Sequence, residues 1–221
     1  MQKFDTATAI VTTLAVPAGR IRLIAADRAD TTVEILPADP SKSRDVKTAE
    51  QTEVTYTDGV LRIEVPKPKN NVLGNTGSIE VTVQLPAGSR VEAQAAATEL
   101  RSVGRLGDVT FQGAYGEITI EEAANLTLTA TDGDVQVGRL TGSAEITAAR
   151  GDIRITEATR GTLALTTQKG DITVGAATGV SATLDAGTVY GRVTNSLKND
   201  GTPALTIRAT TAYGDITARS L

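Results

Sequence analysis

Gly133-Asp134-Val135-Gln136-Val137, Gly151-Asp152-Ile153-Arg154-Ile155 and Gly170-Asp171-Ile172-Thr173-Val174 are three copies of one pattern, and reading them decides the fold. A further copy starts at Gly116 (Gly116-Glu117-Ile118-Thr119-Ile120), and looser ones start at Gly191 and Gly214. Successive glycines are separated by 17, 18, 19, 21 and 23 residues. A nearly constant step with one turn signal per copy marks a repeat architecture. After each glycine two apolar residues alternate with polar ones, the period of a half-buried strand.

A second alternating run precedes each glycine. Its inward candidates are Val109 and Phe111, Leu126 and Leu128, Ala144 and Ile146, and Leu163 and Leu165. The second member of each pair stands five positions before the glycine, and Ala93 with Thr98 keeps that offset in a degenerate first copy. Short stretches such as Gly138-Arg139-Leu140-Thr141-Gly142 close each copy, as a third and variable side. A copy built this way exposes too much apolar surface to fold alone. Stacking at the usual strand separation of about 4.8 Å supplies every copy with hydrogen-bonded neighbours and a shared core. The expectation is an all-β chain forming a β-helix (β-solenoid), triangular or flattened in section, with coils of 17–23 residues over 87–221.

Residues 1–86 read as a β-strand segment continuous with that solenoid or capping it. Ile21, Leu23 and Ala25 alternate after a Pro17-Ala18-Gly19 turn, and Val33 and Ile35 repeat the pattern. Glu53–Val65 is a hairpin around Asp58-Gly59, which supplies the positive-φ positions of a tight turn. Ile79, Val81, Val83 and Leu85 mark a strand that Pro86-Ala87-Gly88 stops. Leu36–Thr52 loses apolar content and reads as an exposed connection, and Pro66–Gly77 reads as a mobile loop. No stretch shows a helical period with caps.

Composition narrows the chemistry. The 221 residues include no His and no Cys, which excludes His-based triads, thiolate nucleophiles, disulfides and zinc sites with His or Cys ligands. Net charge is −4 and no basic cluster occurs, which argues against nucleic-acid binding. Aromatic residues make up only 3%, which suits a thin interior filled by Ile, Leu, Val and Ala. With no signal peptide and no apolar run of membrane-span length, the chain as written reads as cytoplasmic, unless it has been trimmed.

The combined pattern resembles the bacterial putative-adhesin domain family, an uncharacterised group of β-strand-repeat proteins. Gly19-Arg20-Ile21-Arg22-Leu23, Val33-Glu34-Ile35, Leu85-Pro86-Ala87-Gly88 and the Gly-Asp-apolar copies carry the resemblance, over nearly the whole chain. It implies a β-helix-like fold and carries over no catalytic or binding residues.

Four surfaces are candidates for function. Glu99, Glu117, Asp134, Asp152, Asp171 and Asp215 form an acidic column that Arg192 interrupts in the sequence order. Neighbouring unit charges at rung spacing repel by about 0.9 kcal/mol in water. Each carboxylate either bonds the N–H groups of its own corner, with Arg150 and Lys169 screening it, or Asp134, Asp152 and Asp171 hold Ca²⁺. Calcium takes six to eight oxygens, and the Gly-Gly-x-Gly-x-Asp pattern of calcium-loaded β-rolls is missing, which favours the structural reading.

The last two copies supply the second candidate. From Leu184 to Gly191 and from Ile207 to Gly214 the offset is seven, which reads as two enlarged corners, each with a tyrosine just before its glycine. Tyr190 and Tyr213, with Lys198, Asn199 and Asp200 of the polar insert 195–203, form the speculative binding set. The other two candidates carry less. Outward threonines such as Thr127, Thr129 and Thr147 are ordinary strand formers. Asp152 with Arg154 offers a carboxylate and a guanidinium, but no carboxylate pair at glycosidase spacing is readable.

The leading expectation is a non-enzymatic scaffold or protein-interaction module with no catalytic residues and no cofactor. A self-assembling, bactofilin-like β-helix is the second reading, because a final copy running to Leu221 would leave a strand edge unpaired. A polysaccharide-binding or polysaccharide-cleaving β-helix is the third. The partner is an unknown protein or a second copy.

Overall fold

The computed structural model describes residues 1–66 and 77–221, so the expected loop 67–76 lies outside the described residues. The N-terminal third comprises β1 (Gln2–Asp5), β2 (Val11–Ala15), β3 (Ala18–Ala26), β4 (Asp30–Pro37), α1 (Ser43–Gln51), β5 (Glu53–Thr57), β6 (Val60–Glu64) and β7 (Ile79–Pro86). Next come β8 (Arg90–Gln94), β9 (Ala97–Arg105), β10 (Asp108–Gln112), β11 (Ile118–Ala123), β12 (Asn125–Asp132), β13 (Val135–Leu140) and β14 (Ala144–Arg150). The chain ends with β15 (Ile153–Ala158), β16 (Gly161–Lys169), β17 (Ile172–Ala176), β18 (Ala182–Tyr190), β19 (Val193–Ser196), β20 (Leu205–Tyr213) and β21 (Ile216–Ser220).

From β8 onward, successive strands fall alternately in two long sheets, and each pairs in parallel with strands of neighbouring copies. One sheet runs β1-β4-β7-β3-β9-β11-β13-β15-β17-β21-β19, and the other runs β18-β20-β16-β14-β12-β10-β8-β2-β6-β5. The alternation read from sequence is the alternation of burial. Leu126 and Leu128, Val135 and Val137, Ile153 and Ile155, and Ile172 and Val174 are all buried in one apolar cluster. The expected third side does not form a sheet of its own: Arg139 and Leu140 still belong to β13, and only Thr141–Ser143 turn the chain toward β14.

Residues 1–66 and 77–86 contribute strands to the same two sheets, since β2 pairs with β8 and β3 with β9 in parallel. Beyond β3 and β2 the pairing turns antiparallel, in β7–β4–β1 and β6–β5. Asp58 and Gly59 take φ of 51° and 78°, which makes the β5–β6 turn. At this end Phe4 of β1 and Tyr56 of β5 meet across the two sheets with ring centroids 5.4 Å apart.

The structure corrects three further expectations. First, 36–52 is not merely an exposed connection, because it contains α1. Asp45 and Thr48 are buried and accept hydrogen bonds from the backbone N–H groups of Ser78 (3.0 Å) and Gly77 (3.1 Å). The helix carries polar residues inward to satisfy the start of β7, and so shows no apolar stripe.

Second, the last two corners are not enlarged. Leu165 pairs in register with Ala209, and Ala209 with Ala186, each five residues before its glycine. The second inward residue in these copies is alanine, a size that makes it look like surface.

Third, the stack does not follow chain order. β20 lies between β16 and β18, and β21 lies between β17 and β19. The last copy of the chain therefore inserts inside the stack, and the copy before it becomes the terminal one. The unpaired edge belongs to β18 and β19, not to the C-terminus.

Candidate functional site

The corner joining the two sheets starts at the repeat glycine. Gly133, Gly151, Gly170 and Gly214 take φ between 127° and 152°. A Cβ at Gly151 would sit 2.2 Å from the carbonyl oxygen of Gly133, so the corners stack backbone on backbone. Three residues before the glycine, the hydroxyls of Thr167, Thr211 and Thr188 donate to the carbonyls of Gly151, Gly170 and Gly214 in the adjacent copy. These inward threonines escaped the sequence reading because threonine is also common on the outer face.

The acidic column does not bond as expected. Oδ1 of Asp134 accepts from the backbone N–H of Asp152 (2.8 Å), Asp152 from that of Asp171 (2.8 Å), and Asp171 from that of Asp215 (2.7 Å). Each of these aspartates thus ties its own copy to the next one rather than closing its own corner. Asp215 in turn accepts from the N–H of Arg192 at 2.8 Å. Arg192 interrupts the column in sequence, but the insertion of the last copy moves it to the end. At the opposite end Arg20 bridges Glu80 and Glu99, at 3.0 Å to each. Hydrogen bonding to Glu99, with the charges of Glu99 and Glu80, holds the guanidinium still further toward its protonated form. Among the described residues no group of three or more Asp or Glu is placed to hold a metal ion. Asp152 and Arg154 border an open depression of about 300 Å³ with Asp134 and Gln136.

One residue before the glycine runs a different column. Tyr115, Asp132, Arg150, Lys169, Tyr213 and Tyr190 occupy equivalent positions in successive copies of the stack. Asp132 and Arg150 form an ion pair at 2.9 Å. Tyr213 and Tyr190 stack with ring centroids 4.9 Å apart and planes 10° from parallel. They remain 56% and 64% exposed, and Val189 beside them is 71% exposed.

The rest of the binding set lies elsewhere. Ala182 donates its N–H to the carbonyl of Lys198 (2.9 Å), and the N–H of Asp200 bonds the Ser181 hydroxyl (3.1 Å). That places Lys198, Asn199 and Asp200 at the start of β18, whereas Tyr190 ends it, about 26 Å away along an extended strand. Asn199 and Asp200 are also turned on their own loop: their Oδ1 atoms accept from the N–H groups of Gly201 (2.8 Å) and Thr202 (2.9 Å). Ser181 and Thr202 hold the Asp200 carboxyl below its ordinary value. The loop is a built turn, and the two tyrosines are brought together without it.

A groove missed by the sequence reading, about 690 Å³, runs along the corners of the first coils. Val16, Pro17, Val65, Ala95, Ala96 and Ala114 supply its apolar walls. Alanines at corner positions carry no periodic signal that would have revealed it.

The family model described as Toastrack DUF4097 matches residues 13–220. Among solved structures, a putative adhesin from Bacteroides fragilis NCTC 9343 is similar at a TM-score of 0.52 and 15% identity, covering 98% of this chain and 95% of that one. A putative cell adhesion protein from Clostridium sporogenes ATCC 15579 aligns at a TM-score of 0.39 and 13% identity, over 100% and 98% of the two chains. A putative lipid binding protein from Parabacteroides distasonis ATCC 8503 aligns at 0.41 and 13%, over 98% and 95%. No curated protein matches in sequence. No helix among the described residues is long and apolar enough to cross a membrane.

Proposed function

The chain belongs to the Toastrack DUF4097 family, and from that premise we propose that it is a non-enzymatic β-solenoid scaffold that docks a protein partner on its Tyr190–Tyr213 ridge. The solenoid reading is supported by strands that alternate between two sheets, pair in parallel from copy to copy, and turn at the same glycine each time. Winding of this kind gives a rigid frame on which side chains stand at fixed spacing.

The stacked tyrosine pair carries the docking reading. Between Tyr115, which stands alone in an interior coil, and the ridge, the same column holds Asp132, Arg150 and Lys169, the charged residues expected of a solvated corner. At the last two coils it switches to adjacent aromatics that are more than half exposed, with Val189 beside them. Large exposed apolar side chains in contact with one another are the informative exception on a protein surface, and tyrosine is enriched where interfaces concentrate their binding energy.

A non-enzymatic role is supported by the absence of His and Cys and by the commitment of the Asp152 carboxylate to the N–H of Asp171. A capture experiment tests the proposal. Wild-type chain and a Tyr190→Ser/Tyr213→Ser variant are immobilised and exposed to lysate of the native host. A protein enriched by the wild type and lost from the variant is the expected result. A protein retained equally by both removes the ridge from the interaction.

A further inference from the structure

We propose that the end face formed by β18 and β19 is a dimer contact, on which a second copy of this chain sits about a two-fold axis so that both sheets run on through the pair. This rests on reading the chain as an interaction module, and names a partner for the strand edges that adjoin the tyrosine ridge at Tyr190.

β18 and β19 are the terminal strands of the two sheets at one end, so among the described residues each pairs with a strand on one side only, and the Lys198 carbonyl covers just the start of β18, at the N–H of Ala182. An edge exposes a row of N–H and C=O groups, and proteins usually blunt such edges with charges, prolines or covering segments. The opposite end follows that rule. Its edge strands β1 and β5 are short, pair antiparallel, and carry Lys3, Asp5 and Glu53 in nine residues. The Phe4–Tyr56 contact also closes the gap between the sheets there. β18 and β19 contain thirteen residues with a single charge, Asp185, and no proline. Val189 and Val193 are exposed on them, and the inward Leu184 and Ala186 are only half-buried, because one neighbouring coil covers them instead of two.

Geometry selects the occupant. The face offers two strands at once, one in each sheet, separated by the thickness of the core. A single extended peptide can satisfy only one of them. A partner must present two free strands at the same separation, and the identical face of a second copy does so. A two-fold axis normal to the sheets lays β18 antiparallel on β18 of the other copy and β19 on β19. Centred on Gly187, that pairing sets Asp185 opposite Val189 and Leu184 opposite Tyr190, with no like charges directly opposed, and it starts beyond Ala182, whose N–H is held by the Lys198 carbonyl. Because the other end is antiparallel and charged, head-to-tail stacking has no matching surface. The contact closes at a dimer.

The test is sedimentation of the full chain over about three decades of concentration, reaching about 1 mM, the weak limit of specific association. Wild type should pass from monomer to dimer and stop there. Val189→Lys/Val193→Lys alters side chains already exposed in the single chain. It should weaken the dimer at least tenfold while leaving the far-ultraviolet circular dichroism unchanged. Tyr115→Ser, which is equally exposed but in an interior coil, should dimerise as wild type does. A chain that is monomeric throughout, a dimer untouched by the two lysines, or growth into larger oligomers would each overturn the proposal. A monomer that still captures a protein through Tyr190 and Tyr213 would overturn the dimer and leave the interaction-module reading standing. A dimer whose ridge captures nothing would do the reverse.

Discussion

Replacing Gly151 with alanine isolates what holds the corners together. Two costs add. Gly151 takes φ 127°, where L-residues are rarely found, and such strain costs about 1–3 kcal/mol. The new Cβ would also lie 2.2 Å from the Gly133 oxygen and 2.6 Å from its carbonyl carbon. Restoring ordinary contact requires the coils to separate locally by about 1 Å. The bonds across that gap are Gly133 N–H to Arg150 O (3.1 Å) and Asp152 N–H to Asp134 Oδ1 (2.8 Å). Losing both at about 1 kcal/mol each brings the total to about 3–5 kcal/mol. Against a typical stability of about 5–15 kcal/mol, that is a large fraction. Two controls divide the sum. Gly59 has φ 78° with nothing within 4 Å of a new Cβ, so Gly59→Ala should cost only the strain, about 1 kcal/mol. Gly187 has neither positive φ nor a neighbour, so Gly187→Ala should fall within about 0.5 kcal/mol of wild type. Urea unfolding measures all three. If Gly151→Ala costs no more than Gly59→Ala, the backbone-on-backbone stacking of the corners is wrong.

Two further outcomes follow from the charged groups. Asp152→Asn keeps an Oδ1 acceptor for the Asp171 N–H and removes repulsion from two neighbours, whereas Asp152→Ala loses the bond; Ala should therefore be less stable than Asn by about 1 kcal/mol. Thermal melting in low and high salt checks the origin: the Asn advantage over wild type should shrink as the Debye length falls from about 10 Å to about 3 Å, and an Asn variant as unstable as Ala would remove the hydrogen-bonded column. At the capped end, hydrogen bonds from Arg28 and Lys3 lower the Asp30 carboxyl from 3.8 to about 2. A depressed carboxyl stabilises the fold above its unfolded value, and that contribution disappears as pH falls through the folded value. Melting temperature should thus show an Asp30 component lost between about pH 4 and about pH 2, and Asp30→Asn should abolish it. An unchanged acid limb would show that the Arg28–Asp30–Lys3 cluster does not hold the N-terminal strands.

Legibility in the sequence followed the size of the inward side chain. Ile153, Ile155, Leu163 and Leu165 announce their faces by alternation, and all are buried. Asp58-Gly59 announces its turn by chemistry, since few other pairs accept two positive-φ positions. Where the inward residue is Ala186, Ala209 or Thr167, the pattern reads as surface, and the register of the last copies is hidden for that reason. α1 was hidden differently. Its buried residues are Asp45 and Thr48, chosen to meet Gly77 and Ser78, so burial there runs against hydrophobicity. Tyr190 and Tyr213 were singled out as a pair because both precede their glycine by one residue, which is why they stack. Lys198, Asn199 and Asp200 are near them in the chain, but β18 carries the two groups to opposite ends.

Stacking order is the property that no local pattern encodes. A strand two residues from a corner glycine looks the same whether its neighbour is the previous copy or a later one. Here β18 and β19 stand two rungs beyond β16 and β17, and the gap of about 9.6 Å is filled by β20 and β21. Leu205, Ile207 and Ala209 are buried to within 1% because coils cover them on both sides. The inserted copy therefore holds the terminal face in place, and the face carries its half-buried Leu184 and Ala186 only while the C-terminal strands are docked. The same insertion orders the charges. Read along the chain, Arg192 breaks an acidic run. In the stack, Glu99, Glu117, Asp134, Asp152, Asp171 and Asp215 are consecutive, with Arg20 beyond one end and Arg192 beyond the other. At one end the Arg20 guanidinium pairs with Glu99, and at the other the backbone N–H of Arg192 closes the hydrogen-bonded succession that runs from Asp134 to Asp215. With Arg192 and Asp215 exchanged, the arginine would stand between Asp171 and the last acid and split the column. The position of the single exception is thus explained by the order of the stack rather than by the order of the chain.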